Sequence, residues 1–258
     1  MEYTLIQAEV SGRLGIITIN RPESRNALNQ VVLDEIAHAL EAFAADEQVG
    51  TVVFTGAGGK SFIAGADINQ LVRKTMLDGL APKMQQLYDA IEEYEKPTIA
   101  AINGFALGGG LELAMACDIR IAAEGSRFAL PETSLGIIPG AGGTQRLSRL
   151  VGKGRAVELI LTGRLVEAAE AESIGLVTDV VPAAELMEKV SATAETILAK
   201  GPLAVRMAKL VVRHGFETDQ RTGLLLERLA QSLLYTSEDK AEGTSAFLEK
   251  RPANYQGK

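Results

Sequence analysis

The chain contains the segment Thr98-Ile99-Ala100-Ala101-Ile102-Asn103-Gly104-Phe105-Ala106-Leu107-Gly108-Gly109-Gly110-Leu111-Glu112. Residues 98–102 have the length and apolar composition of a short buried strand. The glycines predict a turn over residues 104–110, and the apolar residues 111–116 predict a buried helix. A glycine-lined turn that enters a helix can present free N–H groups to an anion. The segment therefore predicts an α/β fold with a ligand-binding turn at its centre.

The alternation of strand and helix continues on both sides of this segment. Further strands are predicted at 2–10, 15–20, 51–55, 119–122 and 176–181. Further helices are predicted from residue 29, from residue 65, over 84–94, and near 142–150 and 153–161. From residue 183 onward only helices are predicted, and leucines between 224 and 234 supply a broad apolar face. We expect an α/β core over residues 1–195 and a helical region over 196–258.

The composition excludes several classes of protein. Hydrophobic residues make up 47% of the 258 residues and charged residues 23%, as in ordinary globular proteins. The net charge of -7 argues against nucleic-acid binding, which needs a concentrated basic surface. No apolar run is long enough to cross a membrane, and no targeting segment is visible, so a cytoplasmic protein is expected. Cys117 is the single cysteine and there are two histidines, so no metal site is expected.

Other glycine-rich and histidine-based sites fit poorly. Residues 59–61 match the end of the P-loop pattern, but the position that requires its first glycine is Phe54. Residues 104–110 lack the glycine spacing of a dinucleotide-binding turn. Neither His38 nor His214 neighbours a nucleophile pattern, so a hydrolase triad is not expected.

Two glutamates stand beside glycine-rich segments. Glu112 lies two residues after Gly110, and Glu132 follows Pro131 and precedes the glycine-rich residues 136–143. Each could be an ordinary acid in the first turn of a helix, where the helix dipole favours it. Two carboxyl groups can also divide general acid and general base work between them. With a turn that stabilises an oxyanion, the pair predicts proton transfer beside a carbonyl.

Residues 99–119 resemble the signature segment of the enoyl-CoA hydratase/isomerase (crotonase) superfamily. Residues 21–28 look like its early CoA-binding segment, and residues 62–68 look like its first oxyanion loop. Residues 131–147 and 247–251 match as well, so the resemblance covers nearly the whole chain. It implies a spiral of ββα turns with C-terminal helices that build trimers, often paired into hexamers.

The resemblance also implies roles for individual residues. The backbone N–H groups of Ala66 and Gly109 would form the oxyanion hole for a thioester carbonyl, and Glu112 and Glu132 would be the catalytic acids. Contacts with the CoA substrate are predicted for Arg25, Ala27, Ala64, Asp67, Ile68, Gly140, Phe247 and Lys250. The last two of these would reach the adenine end of CoA from a neighbouring subunit.

Members that resemble the hydratases carry both glutamates, as this chain does. The sequence therefore predicts an enoyl-CoA hydratase that converts trans-2-enoyl-CoA to 3-hydroxyacyl-CoA, as in fatty-acid β-oxidation. The alternative is enoyl-CoA isomerisation or another reaction of a CoA-thioester enolate. Some relatives bind RNA or act in assemblies, but the net charge of -7 weighs against that. No cofactor is expected, because CoA is part of the substrate and the oxyanion hole supplies the electrophilic assistance.

Overall fold

Ten strands form two sheets within residues 3–258, the part of the chain that the computed structural model describes. They are β1 (Ile6–Ser11), β2 (Leu14–Ile19), β3 (Thr51–Gly56), β4 (Ser61–Ile63), β5 (Thr98–Ile102), β6 (Phe105–Leu107), β7 (Ile119–Ala123), β8 (Arg127–Ala129), β9 (Val166–Glu167) and β10 (Asp179–Val181). The larger sheet has six strands in the order β1-β2-β3-β5-β7-β10. The smaller sheet has four, in the order β4-β6-β8-β9.

Successive strands alternate between the two sheets. Strands β3, β5 and β7 pair in parallel in the larger sheet. The strand that follows each of them, β4, β6 or β8, pairs in parallel in the smaller sheet. At least one helix comes after each such pair of strands. The expected spiral of ββα repeats is therefore confirmed, and its central strands are almost wholly buried, as parallel strands covered on both faces are.

Twelve helices accompany these strands in the described part of the chain. They are α1 (Gln30–Ala45), α2 (Ile68–Leu71), α3 (Met76–Leu80), α4 (Lys83–Glu93), α5 (Gly109–Ala116), α6 (Gly143–Val151), α7 (Lys153–Thr162), α8 (Ala168–Ser173), α9 (Leu186–Leu198), α10 (Pro202–Phe216), α11 (Gln220–Leu234) and α12 (Glu238–Glu249). Short 3-10 helices lie at Pro22–Ser24, Glu132–Leu135 and Ala183–Glu185.

Helix α5, which follows the glycine-rich turn, lies in the interior of the protein. Every one of its residues is buried, and it packs against α4 on one side and α6 on another. A helix that is apolar nearly all round has to be covered by neighbours, which explains this position. Helices α4 and α6 each have one apolar face and one polar face. The single acid in α5, Glu112, is consequently enclosed by protein.

The shortest strands were not predicted from the sequence. The predicted turn over 104–110 contains β6, and the loop predicted after Gly56 contains β4. Strands β8 and β9 were also missed, and the strand predicted over 176–181 is only β10. Strands of two or three residues show too little alternation to be recognised, and pairing with their neighbours defines them. The strand predicted over 2–10 begins at Ile6, and its residue 2 lies outside the described residues.

The chain divides into two compact units. One comprises the chain up to Tyr94 together with Thr98–Ser191, and it contains both sheets and the main hydrophobic core. The other comprises Glu95–Pro97 and Ala192–Lys258. In this second unit α10 packs against α11, and many large apolar side chains of these two helices are exposed. Of the helices in the described residues, none combines the length and the apolar character that a bilayer crossing requires.

Candidate active site

Glu112 occupies the first turn of α5, directly after the glycine-rich turn. Its side chain and backbone together are only 2% exposed. One carboxylate oxygen, Oε1, accepts hydrogen bonds from the backbone N–H groups of Ala141 and Gly143, each at 2.8 Å. Ala141 belongs to the glycine-rich segment before α6, and Gly143 is the first residue of α6. Two hydrogen bonds to one oxygen atom therefore join α5 to a part of the chain about 30 residues later in the sequence.

Two glycines in these turns have no room for a side chain. A Cβ on Gly143 would lie 2.8 Å from Oε1 of Glu112 and 2.9 Å from Cβ of Pro139. A Cβ on Gly110 would lie 2.1 Å from the carbonyl oxygen of Ile63, so α5 can approach β4 closely only through glycine. The glycines thus set how near the backbone comes to the carboxylate and to the neighbouring strand.

Glu132 begins the 3-10 helix that follows Pro131, and it is half-buried. A Cβ on Gly108 would lie 2.8 Å from its Oε1, which places this carboxyl group beside the turn that precedes Glu112. Its other oxygen, Oε2, is buried and has no hydrogen-bond partner among the described residues. Glu132 therefore approaches the turn that directly precedes Glu112, although the two glutamates are 20 residues apart in the sequence.

The pKa values of the two carboxyl groups respond to different surroundings. The pKa of Glu132 is raised to about 7, mainly by burial; its own backbone N–H lowers this pKa and the nearby charge of Glu112 raises it. Burial also raises the pKa of Glu112, but the N–H groups of Gly143 and Ala141 and the charge of Arg146 oppose that rise. The donors around Glu112 thus favour its ionised form, and the pKa of about 7 lets Glu132 carry a proton at and below neutral pH.

Both glutamates line one cavity of about 480 Å³. Ala66, Gly109 and Gly140 also line it. The rest of the wall is mostly apolar, with the side chains of Ile68, Leu71, Met84, Leu135, Ile137 and Ile138. An apolar pocket with a few convergent polar groups is the usual form of a small-molecule site.

The two predicted oxyanion donors lie on adjacent turns. A Cβ on Gly65, the neighbour of Ala66, would be 3.8 Å from the backbone nitrogen of Gly109. Around Ala66 the chain is fixed by Leu28, whose N–H donates to Gly65 and whose carbonyl accepts from Asp67, each at 2.8 Å. Within residues 3–258 neither Ala66 N–H nor Gly109 N–H donates to a protein acceptor. Both residues line the cavity, so their N–H groups are candidate donors to a ligand oxygen there.

Some predicted CoA contacts line cavities. Ala64 lines the glutamate cavity and also a second cavity of about 570 Å³, which Arg25 and Lys60 line as well. The carbonyl of Arg25 accepts a hydrogen bond from Ala64 N–H at 3.1 Å, so the two residues are fixed relative to each other. A chain of lining residues thus leads from the glutamates toward an exposed cation.

Other predicted contacts lie elsewhere in the described structure. The carboxylate of Asp67 caps α2 by accepting from Asn69 N–H and pairs with Arg21 at 3.4 Å. The carbonyl of Ala27 accepts a hydrogen bond from Arg21. Phe247 and Lys250 stand at the end of α12, in the second unit. Their roles, like those of the other site residues, stay predictions.

Two contacts of the site were not anticipated from the sequence. Tyr88 of α4 is fully buried and donates its hydroxyl hydrogen to the carbonyl of Gly109 at 2.7 Å. Arg146 of α6 is buried below the segment that holds Glu112. Tyr88 is one of the residues that form the apolar face of α4, so the helical spacing of apolar residues alone indicates that it is a core residue. Within residues 3–258 no group of three or more histidine, cysteine, aspartate or glutamate side chains is placed to hold a metal ion.

Comparisons with known proteins identify the family and the fold of this chain. A sequence model of the enoyl-CoA hydratase/isomerase family matches residues 9–258. A protein named crotonyl-CoA hydratase from Syntrophomonas wolfei is 46% identical over 260 residues, which cover 100% of both chains. A probable enoyl-CoA hydratase from Mycobacterium tuberculosis is 45% identical over 255 residues, which cover 99% of both chains. The crystal structure of enoyl-CoA hydratase from Bacillus anthracis superposes with a TM-score of 0.95 at 42% identity, covering 99% of this chain and 100% of that one.

Proposed function

The chain belongs to the enoyl-CoA hydratase/isomerase family, and we propose that it adds water to trans-2-enoyl-CoA to give 3-hydroxyacyl-CoA. The observation that carries this proposal is the pair of glutamates on one cavity wall, one held by two N–H donors and the other with a buried, unpartnered oxygen among the described residues. Hydration needs both a base for water and an acid for carbon. The pair supplies one of each.

Binding of the thioester follows from the turns around the cavity. Its carbonyl oxygen accepts hydrogen bonds from Ala66 and Gly109, which lie on adjacent turns. These donors stabilise the negative charge that develops on the oxygen as water attacks, and each such donor is typically worth about 3 kcal/mol in the transition state. Arg25, exposed beside the second cavity, is suited to a phosphate of CoA.

The two glutamates then act at neighbouring carbon atoms. Glu112 takes a proton from the water while the water oxygen forms a bond to Cβ of the substrate. The electrons of the double bond move to form the thioester enolate. Glu132 gives its proton to Cα, and the carbonyl reforms. Gly140 lines the cavity with both carboxyl groups and contributes to the site of the water. No redox step or metal ion is required for this sequence of bond changes.

Fatty-acid β-oxidation is a pathway that uses this step, and we propose that the chain serves it as a homotrimer or homohexamer. Support for assembly comes from the second unit, where several large apolar side chains of α10 and α11 are exposed. Many exposed large apolar side chains on two packed helices favour a protein–protein contact there. No cofactor enters the proposal, since CoA is part of the substrate.

The test is the hydration of crotonyl-CoA, followed by the loss of absorbance of the conjugated thioester. We expect turnover by the natural chain and a loss of about 10²- to 10⁴-fold in Glu112→Ala and in Glu132→Ala. CoA binding, measured by calorimetry, should persist in both variants because neither carboxylate contacts the nucleotide in the proposal. Near-normal turnover in either variant would contradict the two-acid assignment.

A second candidate function is isomerisation of 3-enoyl-CoA to 2-enoyl-CoA. The unpartnered oxygen of Glu132 and its pKa of about 7 favour it, because one such group can both take and return a proton. This reading requires that Glu132→Ala loses isomerisation while Glu112→Ala keeps it, and that the natural chain scarcely hydrates crotonyl-CoA.

A further inference from the structure

Arg146 is a buried cation directly behind the segment that holds Glu112. Its side chain is 9% exposed. One guanidinium nitrogen, Nη1, donates to the carbonyl of Ala141 at 2.9 Å. A Cβ on Gly142 would clash with the same nitrogen, so this end of the guanidinium group packs closely against the backbone at Gly142.

The other edge of the guanidinium group is fixed by helix α4. Its Nε and Nη2 donate to one carboxylate oxygen of Glu92, at 3.0 and 2.6 Å, and Nη2 also donates to Asp89 at 2.7 Å. Arginine presents its donors in a rigid planar fork, so bonds on both edges fix its orientation. Arg146 therefore links α4 to the segment at residues 140–143.

That segment is the one that holds the proposed base. Ala141 accepts from Arg146 through its carbonyl and donates to Glu112 through its N–H, while Gly143 donates to the same carboxylate oxygen. A displacement of the Ala141 peptide would therefore move a donor away from Glu112. Small displacements of a reacting group matter, since about 1 Å can cost about 100-fold in rate.

We propose that Arg146, anchored by Asp89 and Glu92, is a positioning residue for Glu112: it fixes the 140–143 segment and so keeps the carboxylate of Glu112 in place. The inference rests on the proposed function for the consequences in turnover. Its structural part, the control of Glu112 by a buried cation, does not depend on which substrate is used.

The charged and titratable groups around Glu112 come from three elements. Arg146 belongs to α6, Tyr88 to α4, and Glu132 to the 3-10 helix. Burial raises the pKa of Tyr88 well above its ordinary value, so this group is neutral at the pH of an assay. The charge of Glu112 raises the pKa of Glu132, and the charge of Arg146 favours ionisation of Glu112. Loss of Arg146 should consequently raise the pKa of Glu112.

The experiment compares three changes with a matched control. Arg146→Gln removes the charge and the fork, and Arg146→Lys keeps the charge but removes the fork. The double variant Asp89→Asn, Glu92→Gln keeps Arg146 and retains amide oxygens that can accept from it. The control is Arg149→Gln on the same helix, where an exposed arginine donates, among the described residues, only to Gln145. Thermal unfolding of every variant reports whether the fold is retained.

Two readouts are used on the full chain. The first is kcat and kcat/KM for crotonyl-CoA as a function of pH. The second is the titration of Glu112 in the substrate-free protein, followed by NMR of ¹³C-labelled glutamate carboxyl groups and assigned with Glu112→Gln. The second readout needs no turnover, so a natural chain that fails to hydrate crotonyl-CoA overturns the proposed function while the positioning role is still measured.

We expect Arg146→Gln to lose about 10- to 100-fold in kcat. Its Glu112 titration and the acidic limb of its kcat/KM profile should both move to higher pH. Arg146→Lys and the double variant should lose several-fold in kcat while the Glu112 titration stays near that of the natural chain, and Arg149→Gln should change neither. The inference is overturned if Arg146→Gln turns over within about twofold of the natural chain, or if its Glu112 titration does not move.

Discussion

Glu112 and Glu132 lie on the wall of one cavity in unlike surroundings. Glu112 belongs to a helix that is buried throughout, and one of its oxygens receives two backbone hydrogen bonds at 2.8 Å. Glu132 starts a short 3-10 helix, is half-buried, and keeps one buried oxygen without a partner among the described residues. Fixed donors favour the ionised form of a carboxyl group, and burial without donors favours the neutral form.

The comparison teaches that residue type does not assign the roles of acid and base here. Burial raises the pKa of both groups, and the difference lies in what opposes it. For Glu112 the opposition comes from Gly143, Ala141 and Arg146. For Glu132 it comes only from the N–H of its own backbone. The neighbours of each glutamate, which come from other elements of the fold, therefore decide its chemistry.

The largest effect is expected when each glutamate is replaced by glutamine, its neutral isostere. Glu112→Gln and Glu132→Gln should each lose about 10²- to 10⁴-fold in hydration, since neither amide can exchange the required proton. The natural chain should also lose activity as pH rises through about 7, because Glu132 must be protonated to act as the acid and its pKa is about 7. The measurement is the pH dependence of kcat/KM.

The residual activity of the two variants separates the roles. Glu132→Gln should lack the decline at high pH, because the group that titrates there has been removed. Glu112→Gln should keep a decline at high pH, although at a shifted position because the charge of Glu112 is gone. If the decline vanished in Glu112→Gln and persisted in Glu132→Gln, the acid and the base would be exchanged.

An intermediate effect on turnover is expected when a single methyl group is added next to Glu112. In Gly143→Ala the added Cβ would meet Oε1 of Glu112 at 2.8 Å and Pro139 at 2.9 Å, so the carboxylate or the loop must move. We expect about 10- to 100-fold lower kcat. Gly154→Ala, at a site with no heavy atom within 4 Å, is the matched control and should retain full activity. Equal activity of the two variants would show that the close contact at Gly143 is not needed.

The smallest expected effect concerns the support of the oxyanion turn. Tyr88→Phe removes the 2.7 Å hydrogen bond to the carbonyl of Gly109 and leaves the ring in the core. A net loss of about 0.5–1.5 kcal/mol corresponds to roughly two- to tenfold in kcat. The decline at high pH should stay in place, because Glu132 is unchanged. Tyr235→Phe, which alters an exposed tyrosine of α11's C-terminal cap, is the control.

Much of this arrangement could be predicted from the sequence, because its parts are local. The glycines before Glu112 and after Glu132 mark the turns, and the strand–turn–helix order around residue 104 predicts an α/β fold. The resemblance to the crotonase superfamily then supplied the spiral and the roles of Ala66 and Gly109. Family and fold are confirmed by the comparisons, and the roles of the site residues stay predictions.

The supporting contacts could not be predicted in the same way. Arg146 meets Glu92 across 54 positions and Asp89 across 57, and nothing in the local pattern of either segment indicates that they touch. Tyr88 reads as one more apolar residue of α4 until the backbone of Gly109 is placed beside its hydroxyl group. The short strands β4, β6 and β8 likewise exist because each pairs with the next. Long-range pairing is the information that a local pattern lacks.

The apolar wall of the cavity has a consequence for the energetics of ligand binding. Ile68, Leu135 and Ile138 line it yet are 54%, 55% and 65% exposed, so water covers them until a ligand arrives. Covering apolar surface gives binding a negative heat-capacity change. Each methylene of an acyl tail that lies over this wall makes that change more negative. A methylene that extends beyond the wall no longer changes the heat capacity of binding. The temperature dependence of the binding enthalpy, measured for a series of tail lengths, therefore reports how much of the tail the wall covers.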